Sequence, residues 1–333
     1  MPTIRRLATS TARGIVFGCG IGVIAGLSAA AFLDSLRWAT TTREDHSFLL
    51  WILPLAGLVI GLIYDRYGGR AAKGNDLLID EVHEPTAWVP RRMAPMIFGA
   101  SVVTHLFGGS AGREGAGIQL AGGLTDHAAR LLNLEAAERR LMLIAAISAG
   151  FAAVFGMPWA GWVFGLEVQF VRRVRLDAVV PALVGSIVGN LVVRGVGTRF
   201  TVTPHLGPVA WSPALVGKIL VAGALFGVTA WLFATGVHEA KRLAALGLRW
   251  VPLRPVIGAF VVIGLTYAVG NRDYLGLSTP LIDKALAGGA GIIAAAFALK
   301  FLFTVITLGA GFQGGEVTPL FVIGATLGVT LGR

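Results

Sequence analysis

Two short stretches decide the fold, because each places an acidic residue directly after a glycine-rich turn. Residues 108–115 read GGSAGREG, and residues 309–319 read GAGFQGGEVTP. Glu114 and Glu316 thereby stand inside long stretches that carry almost no other charge. A charge at membrane depth is costly, so an ionisable residue there is a functional-site hypothesis. The two glutamates are 202 residues apart, as are two glycines of each turn, which predicts equivalent positions in two internal repeats.

The composition is that of a protein embedded in a membrane. Hydrophobic residues make up 55% of the chain, charged residues only 14%, and the mean hydropathy is +0.74. Soluble domains carry about 25% charged residues. The net charge of +10 comes from cations in short polar segments, which orient a membrane protein, so it does not indicate nucleic-acid binding. The cluster Arg5, Arg6 and Arg13 favours a cytoplasmic N-terminus, and we expect a multi-pass protein of a bacterial inner membrane.

The hydrophobic runs predict an all-α polytopic fold, since roughly 20 residues cross a bilayer as a helix. Full or partial spans are expected near residues 14–33, 49–64, 93–107, 114–131, 138–155, 158–171, 177–193, 213–237, 253–271, 285–308 and 317–332. Loops are expected at 37–47 and 198–211. Pro158 should divide one long run into two helices, because proline lacks the backbone N–H and clashes with the preceding turn.

A single transmembrane domain is expected over residues 1–333. Its first repeat is predicted at roughly 14–193 and its second at roughly 213–333. The chain stops directly after a hydrophobic run, so we expect its C-terminal end to be incomplete. Short runs within both repeats indicate re-entrant or half-spanning helices, which are tolerated where protein or a cavity surrounds them.

Three glycine-led turns are expected to open helices inside the membrane. They precede Asn75, Glu114 and Val317. A helix N-terminus presents unpaired N–H groups and a partial positive charge, so it binds anions without needing a full cation. Asn75 or Asp76 is a candidate N-cap, and Asn75 is also a candidate anion contact. Several such helix ends converging at the membrane midplane would hold a small anion and still release it.

Glu114 has a physical role in such a site. As a carboxylate it would compete with a transported anion for the same amide groups, and as a neutral acid it would leave the site. Burial raises the pKa of a carboxyl group, while helix N-terminal amides lower it. This competition would couple one proton to anion movement. The plainer alternative is a helix N-terminal glutamate in a small aqueous vestibule.

Three motifs resemble those of the CLC family of anion channels and antiporters. Residues 112–120, GREGAGIQL, resemble the family's G-R-E-G-P-x-x-Q motif. Residues 149–161, AGFAAVFGMPWAG, and 314–319, GGEVTP, resemble its A-G-x-A-A-x-F-x-x-P-x-A-G and G-G-x-F-x-P motifs. The resemblance implies an inverted-repeat helical bundle with broken helices, forming a homodimer with one anion pathway per subunit. It also implies that Glu114 is the gating and proton-coupling glutamate, with no metal or other cofactor.

The departures from the family pattern resemble its fluoride-transporting branch. Residues 74–78 read GNDLL where a serine-containing G-S-G-x-P is usual, and Glu316 and Val317 replace an aliphatic-aromatic pair. The inner proton-relay glutamate of chloride/proton antiporters falls at Val168, beside Glu167. The resemblance implies that Glu316 joins Glu114 in gating and proton coupling. The anion-binding residues that it implies are Gly74, Asn75, Arg113, Gly115, Val317 and Thr318.

The resulting hypothesis is a membrane antiporter that exports fluoride in exchange for protons. The alternatives are a chloride channel or chloride/proton antiporter of the same family, and a non-transporting membrane scaffold subunit. An enzyme is disfavoured, because the sequence shows no nucleophile-base set, metal cluster or phosphate loop. Among other residues, we expect Lys300 to snorkel to the membrane surface or to form an ion pair. We expect Glu167 to be an interior hydrogen-bonded residue at a helix end.

Overall fold

The computed structural model describes residues 2–168, 175–198, 200 and 211–333, with side chains described from residue 11 onward. The described chain is α-helical apart from short 3₁₀ turns and loops. In chain order the helices are α1 (Pro2–Asp45), α2 (Leu53–Tyr67), α3 (Asn75–His83), α4 (Met93–Leu106), α5 (Glu114–Leu131), α6 (Ala136–Phe155), α7 (Pro158–Glu167), α8 (Val179–Val196), α9 (Pro213–Gly247), α10 (Leu253–Val269), α11 (Thr279–Leu286), α12 (Ala296–Gly309) and α13 (Val317–Gly332).

Four helical stretches are long and apolar enough to cross a membrane. They are Thr11–Asp45, Ser47–Tyr67, Leu176–Val196 and Pro213–Gly247. Helices α4, α10, α12 and α13 are apolar but shorter. These lengths fit the predicted mixture of complete spans and shorter membrane helices.

Several helix boundaries agree closely with the sequence predictions. Helices α5 and α13 have the predicted bounds, and Pro158 opens α7 directly after Gly156 ends α6 in a left-handed conformation. The predicted loop at 37–47 is wrong, because α1 continues to Asp45. The start of the span at 285–308 is also wrong: three glycines with positive φ occupy 288–291, and α12 begins only at Ala296. Residues 169–171 of one predicted span, and 199 and 201–210 of one predicted loop, lie outside the described residues.

The chain forms two compact units. The first comprises Met1–Trp38, Arg66–Val102 and Glu114–Phe200, and the second comprises Ala39–Asp65, Val103–Arg113 and Thr201–Arg333. In the first unit α6 packs against α5, α7 and α8, and in the second α12 packs against α9, α10 and α13. Small residues permit this close packing, as is usual between membrane helices. For example, a Cβ atom at Gly22 of α1 would lie 2.6 Å from Cβ of Val188 of α8.

The helices also reveal the true register of the internal repeat. Adding 203 to the bounds of α4 (93 to 296, 106 to 309) gives the bounds of α12, and the same shift takes the start of α5 from 114 to 317, the start of α13. The separation of 202 residues inferred from the glycines and glutamates is therefore wrong by one residue. Glu114 corresponds to Val317, and Glu316 corresponds to Arg113.

Candidate functional site

The first predicted helix end is the start of α5. Glu114 is its first residue and is fully buried, and Gly115, the second, is buried as well. Arg113, which precedes them, is partly buried. A carboxylate at this position lies at the positive end of the helix dipole, where negative charge is stabilised. The prediction that Glu114 lies at a helix N-terminus is therefore confirmed, while its role as a gate stays a prediction.

The second predicted helix end is the start of α3, in the same unit. Gly74 has φ +61° and ψ −130° and is the N-cap, so neither Asn75 nor Asp76 caps the helix as predicted. Instead, Asn75 is the first helical residue. A Cβ atom at Gly74 would lie 3.3 Å from Nε2 of Gln119 on α5. The start of α3 therefore lies against α5, about one turn beyond Glu114.

Asn75 presents a polar atom that the fold leaves unused. Its Oδ1 atom is buried and has no hydrogen-bond partner among the described residues. Buried polar side-chain atoms without a partner are rare in proteins. Because no hydrogen bond fixes Oδ1, the amide can turn so that its NH₂ group takes the buried position and donates to an anion. This observation favours anion contact over capping for Asn75.

The third predicted helix end is the start of α13, in the second unit. Glu316 is the N-cap residue, but its side chain makes no capping hydrogen bond. The side chain is exposed, so the expectation of a second buried glutamate is wrong. Val317 begins the helix and is partly buried, and Thr318 is 4% exposed. The Glu316 carboxyl group is thus not committed to the first-turn amides of α13.

The two glycine-rich turns are paired, which the sequence did not indicate. The Gly112 N–H donates to the Gly315 carbonyl oxygen, and the Gly315 N–H donates to the Gly112 carbonyl oxygen, both at 2.7 Å. Gly314 packs so closely that a Cβ atom there would lie 2.5 Å from Cβ of Ala111. These contacts lie within the second unit. The turn before Glu114 and the turn holding Glu316 are therefore one mechanical element, called the paired turns below.

Both halves of the paired turns have the same backbone design. Gly108 and Gly311 have positive φ values of 95° and 103°, a conformation that L side chains rarely adopt. In the first turn the Gly109 N–H donates to the Thr104 carbonyl oxygen at 2.8 Å. In the second, the Phe312 N–H donates to the Thr307 carbonyl oxygen at 3.2 Å. The matching hydrogen bonds are again 203 residues apart, which supports the corrected register.

Two further predictions about charged residues are wrong. Lys300 neither snorkels nor pairs with an acid: it is fully buried, and its ammonium donates only to hydroxyl and carbonyl oxygens of the described residues. Glu167 does end α7, but it is exposed and so is not interior. Val168, at the position of the family's inner glutamate, packs against a hydrophobic cluster of the first unit.

A buried ion-pair network fixes the far end of α3. Arg139 Nη1 lies 3.0 Å from Glu81 Oε2, and Arg139 Nε lies 2.5 Å from Asp126 Oδ1. Arg70 also pairs with Glu81. Burial alone would raise the pKa of Glu81, but the hydrogen bonds from Arg70 and Arg139 outweigh it and hold the pKa below its ordinary value of 4.5. Sequence reasoning missed this network, because it treated residues 124–140 as an amphipathic connector with a solvated face.

Comparison with known proteins decides the family. The sequence profile of the voltage gated chloride channel family matches residues 56–333. The chain belongs to the CLC family. Family membership and the all-helical CLC fold confirm the predicted fold class and make the protein a multi-pass membrane protein for anion transport, not an enzyme. A non-transporting scaffold is thereby disfavoured.

Three relatives of this CLC protein bear on its substrate. A chloride/fluoride channel protein of Pseudomonas syringae pv. tomato is 42% identical over 93% of this chain and 70% of the relative. The crystal structure of a CLC-type fluoride/proton antiporter superposes with a TM-score of 0.92 at 30% identity, covering 96% of this chain and 81% of that one. An H(+)/Cl(−) exchange transporter of Salmonella arizonae is 26% identical over 94% of this chain and 70% of the relative.

Proposed function

We propose that this CLC protein exports fluoride in exchange for protons. The observation that carries the proposal is the difference in similarity between two kinds of relative. The chain is 42% identical to a chloride/fluoride channel protein but 26% identical to a chloride/proton exchange transporter. Its structure matches that of a CLC-type fluoride/proton antiporter with a TM-score of 0.92.

The donors at the helix ends suit fluoride. Fluoride is small and strongly hydrated, so a pathway must replace its water with strong hydrogen-bond donors. Three side chains at helix starts offer such donors: the unpartnered amide of Asn75, the hydroxyl of Thr318, and Glu316 when it is protonated. The amides beside Gly74, Gly115 and Val317 complete the proposed anion-binding set together with Arg113.

Proton coupling is assigned to two acids. Glu114 is the gate, because as a buried carboxylate at the start of α5 it competes with the anion for helix amides, and as a neutral acid it releases them. Glu316 is the second proton-bearing group, because its carboxyl makes no capping bond and is free to take up or release a proton. The apolar Val168 leaves the inner proton-relay position of chloride exchangers without an acid.

The deciding experiment measures anions and protons together. The purified protein is reconstituted in liposomes loaded with fluoride or chloride, and anion efflux and external pH are recorded simultaneously. We expect fluoride efflux to exceed chloride efflux and to drive proton uptake into the liposomes. Chloride efflux equal to or faster than fluoride efflux would overturn the proposal and favour the alternative, a chloride channel or chloride/proton antiporter like the 26%-identical relative. Fluoride efflux without proton movement would make the protein a fluoride channel.

Two further features are proposed from the family resemblance. The protein is a homodimer with one pathway per subunit, which mass measurement of the detergent-solubilised protein tests. Its N-terminus faces the cytoplasm, because Arg5 and Arg6 lie before the first span. Accessibility of an N-terminal tag in intact cells tests this orientation.

A further inference from the structure

Lys300 is the most unusual charged residue among the described part of the chain. It lies in α12, is 0% exposed, and has no carboxylate partner among the described residues. Its Nζ atom lies within hydrogen-bond distance of four oxygens: Gly276 O at 2.8 Å, Ser110 Oγ at 2.9 Å, Ser278 Oγ at 2.9 Å and Tyr274 O at 3.3 Å. We infer that Lys300 is a positioning residue, which holds the paired turns and thereby the Glu316 carboxyl group in place. The inference rests on the proposed function, because it gives the paired turns a role in fluoride and proton transport.

The cost of burying Lys300 explains why it can act as a constraint. A buried ammonium without a counter-ion is strongly unfavourable unless every N–H group has an acceptor. Lys300 has three N–H groups and four oxygens within reach, from three separate segments of the second unit. Moving any one of these segments away would remove an acceptor from the charge. The ammonium therefore favours the arrangement in which α12, the loop at 274–278 and the turn at 108–112 stay together.

Ser110 connects this charge to the first of the paired turns. Its hydroxyl accepts from Lys300 and lies 2.9 Å from Thr304 Oγ1, while its backbone N–H donates to Thr307 Oγ1 at 3.1 Å. Lys300, Thr304 and Thr307 all belong to α12. The turn is thus held to one face of α12 by both its side chain and its backbone.

The constraint continues from Ser110 to Glu316. Gly112, two residues after Ser110, exchanges both backbone hydrogen bonds with Gly315, the residue before Glu316. The loop at 274–278 contacts the same turn, since the Gly276 N–H donates to the Gly109 carbonyl oxygen at 3.2 Å. A change at Lys300 is therefore expected to alter the paired turns more than other parts of the unit. A lysine that served only to fold the unit would instead affect all of its helices.

Amide hydrogen exchange tests the inference directly, because Gly112 and Gly315 donate the two hydrogen bonds that join the turns. Exchange by mass spectrometry is compared for wild type and Lys300→Met in detergent or nanodiscs. We expect exchange at residues 108–116 and 310–317 to rise on the order of 10- to 100-fold, the change that loss of one hydrogen bond to a charged group corresponds to. Exchange in α9 and α10 should stay within about 3-fold of wild type, since surface-remote helices open separately. Unchanged protection at both turns, or an equal loss of protection throughout α9–α13, would overturn the inference.

Ser110 and Ser278 provide a matched pair that leaves the lysine in place. Ser110→Ala and Ser278→Ala each remove one hydroxyl acceptor of Lys300, and each leaves three oxygens for its three N–H groups. Only Ser110 belongs to the paired turns. We expect Ser110→Ala to speed exchange at residues 108–116 and 310–317, and Ser278→Ala to leave it unchanged. Equal effects of the two substitutions would refute the positioning role even if Lys300→Met does not fold.

Transport measurements on the same proteins give the functional consequence. Lys300→Met and Ser110→Ala should slow fluoride efflux by on the order of 10-fold or more and lower the number of protons moved per fluoride, while Ser278→Ala keeps the wild-type values. Wild-type transport is measured first. If wild type carries chloride in preference to fluoride, the proposed function fails, while the exchange comparison still decides whether Lys300 positions the turns. Normal proton-to-fluoride ratios in a Ser110→Ala protein with loosened turns would overturn the functional part of the inference.

Discussion

Adding one methyl group at Gly314 should separate the paired turns. A Cβ atom there would lie 2.5 Å from Cβ of Ala111 and 3.1 Å from the carbonyl oxygen of Gly112, whereas carbon atoms in contact prefer about 3.5–4.0 Å. Overpacking of this kind costs about 1–3 kcal/mol. If the turns part to relieve the overlap, each of the two lost hydrogen bonds to Gly315 costs about 1 kcal/mol more. We therefore expect Gly314→Ala to destabilise the paired turns by at least about 2 kcal/mol.

Gly324 supplies the matched control for this prediction. It lies in the same unit, inside α13, and a Cβ atom there would meet nothing within 4 Å. Alanine is favoured over glycine in a helix interior by about 1 kcal/mol, so Gly324→Ala should be neutral or stabilising. Thermal unfolding in detergent, followed by size-exclusion chromatography, measures both variants, and fluoride efflux from liposomes measures the functional effect. A Gly314→Ala protein as stable and as active as Gly324→Ala would refute the argument that close packing joins the two turns.

Four further substitutions test individual residues. Glu114→Gln should abolish proton movement during anion efflux, because an amide can neither carry the proton nor compete as an anion; wild-type proton uptake would contradict this. Asn75→Ala should slow fluoride efflux by roughly 5- to 150-fold, from a lost donor of about 1–3 kcal/mol, without the stability loss of about 1 kcal/mol that a broken cap would bring. Glu316→Ala should lower the ratio of fluoride to chloride efflux while leaving unfolding unchanged. Glu81→Gln should lower stability by roughly 3 kcal/mol at neutral pH, because it removes the carboxylate from the Arg139 network. That difference should shrink as pH falls below 4.5, the ordinary pKa of Glu81, and through its lower folded-state pKa, as unfolding curves against pH would show.

The helices that carry the site were predictable because local signals agreed there. Helices α5 and α13 each follow a glycine-rich turn and continue as apolar segments, and Pro158 marks the start of α7. The start of α12 was not predictable in the same way. The glycines at 288–291 lie in an apolar stretch, and hydrophobicity alone does not reveal that they adopt left-handed conformations outside a helix.

Tertiary contacts account for the remaining errors. Lys300 looked like a residue that must reach the surface or an acid, because sequence cannot show that four oxygens from distant segments meet it. Asp126 and Arg139 looked like a solvated face, and they are instead buried partners. In both cases the partner lies many residues away, so the pattern along the chain carried no signal of the pairing.

The register correction changes how the two acids of the proposed pathway relate to each other. Glu114 is the first residue of its helix and is buried, whereas its counterpart in the second repeat is the apolar Val317. Glu316 precedes its helix, is exposed, and corresponds to the cation Arg113. The acids therefore cannot act as two copies of one gate. An acid at the first helical position can compete with an anion for the amides of its own helix, and one at the N-cap without a capping bond can exchange protons freely. The proposed division into a gate and a proton-bearing donor follows from that one-residue difference.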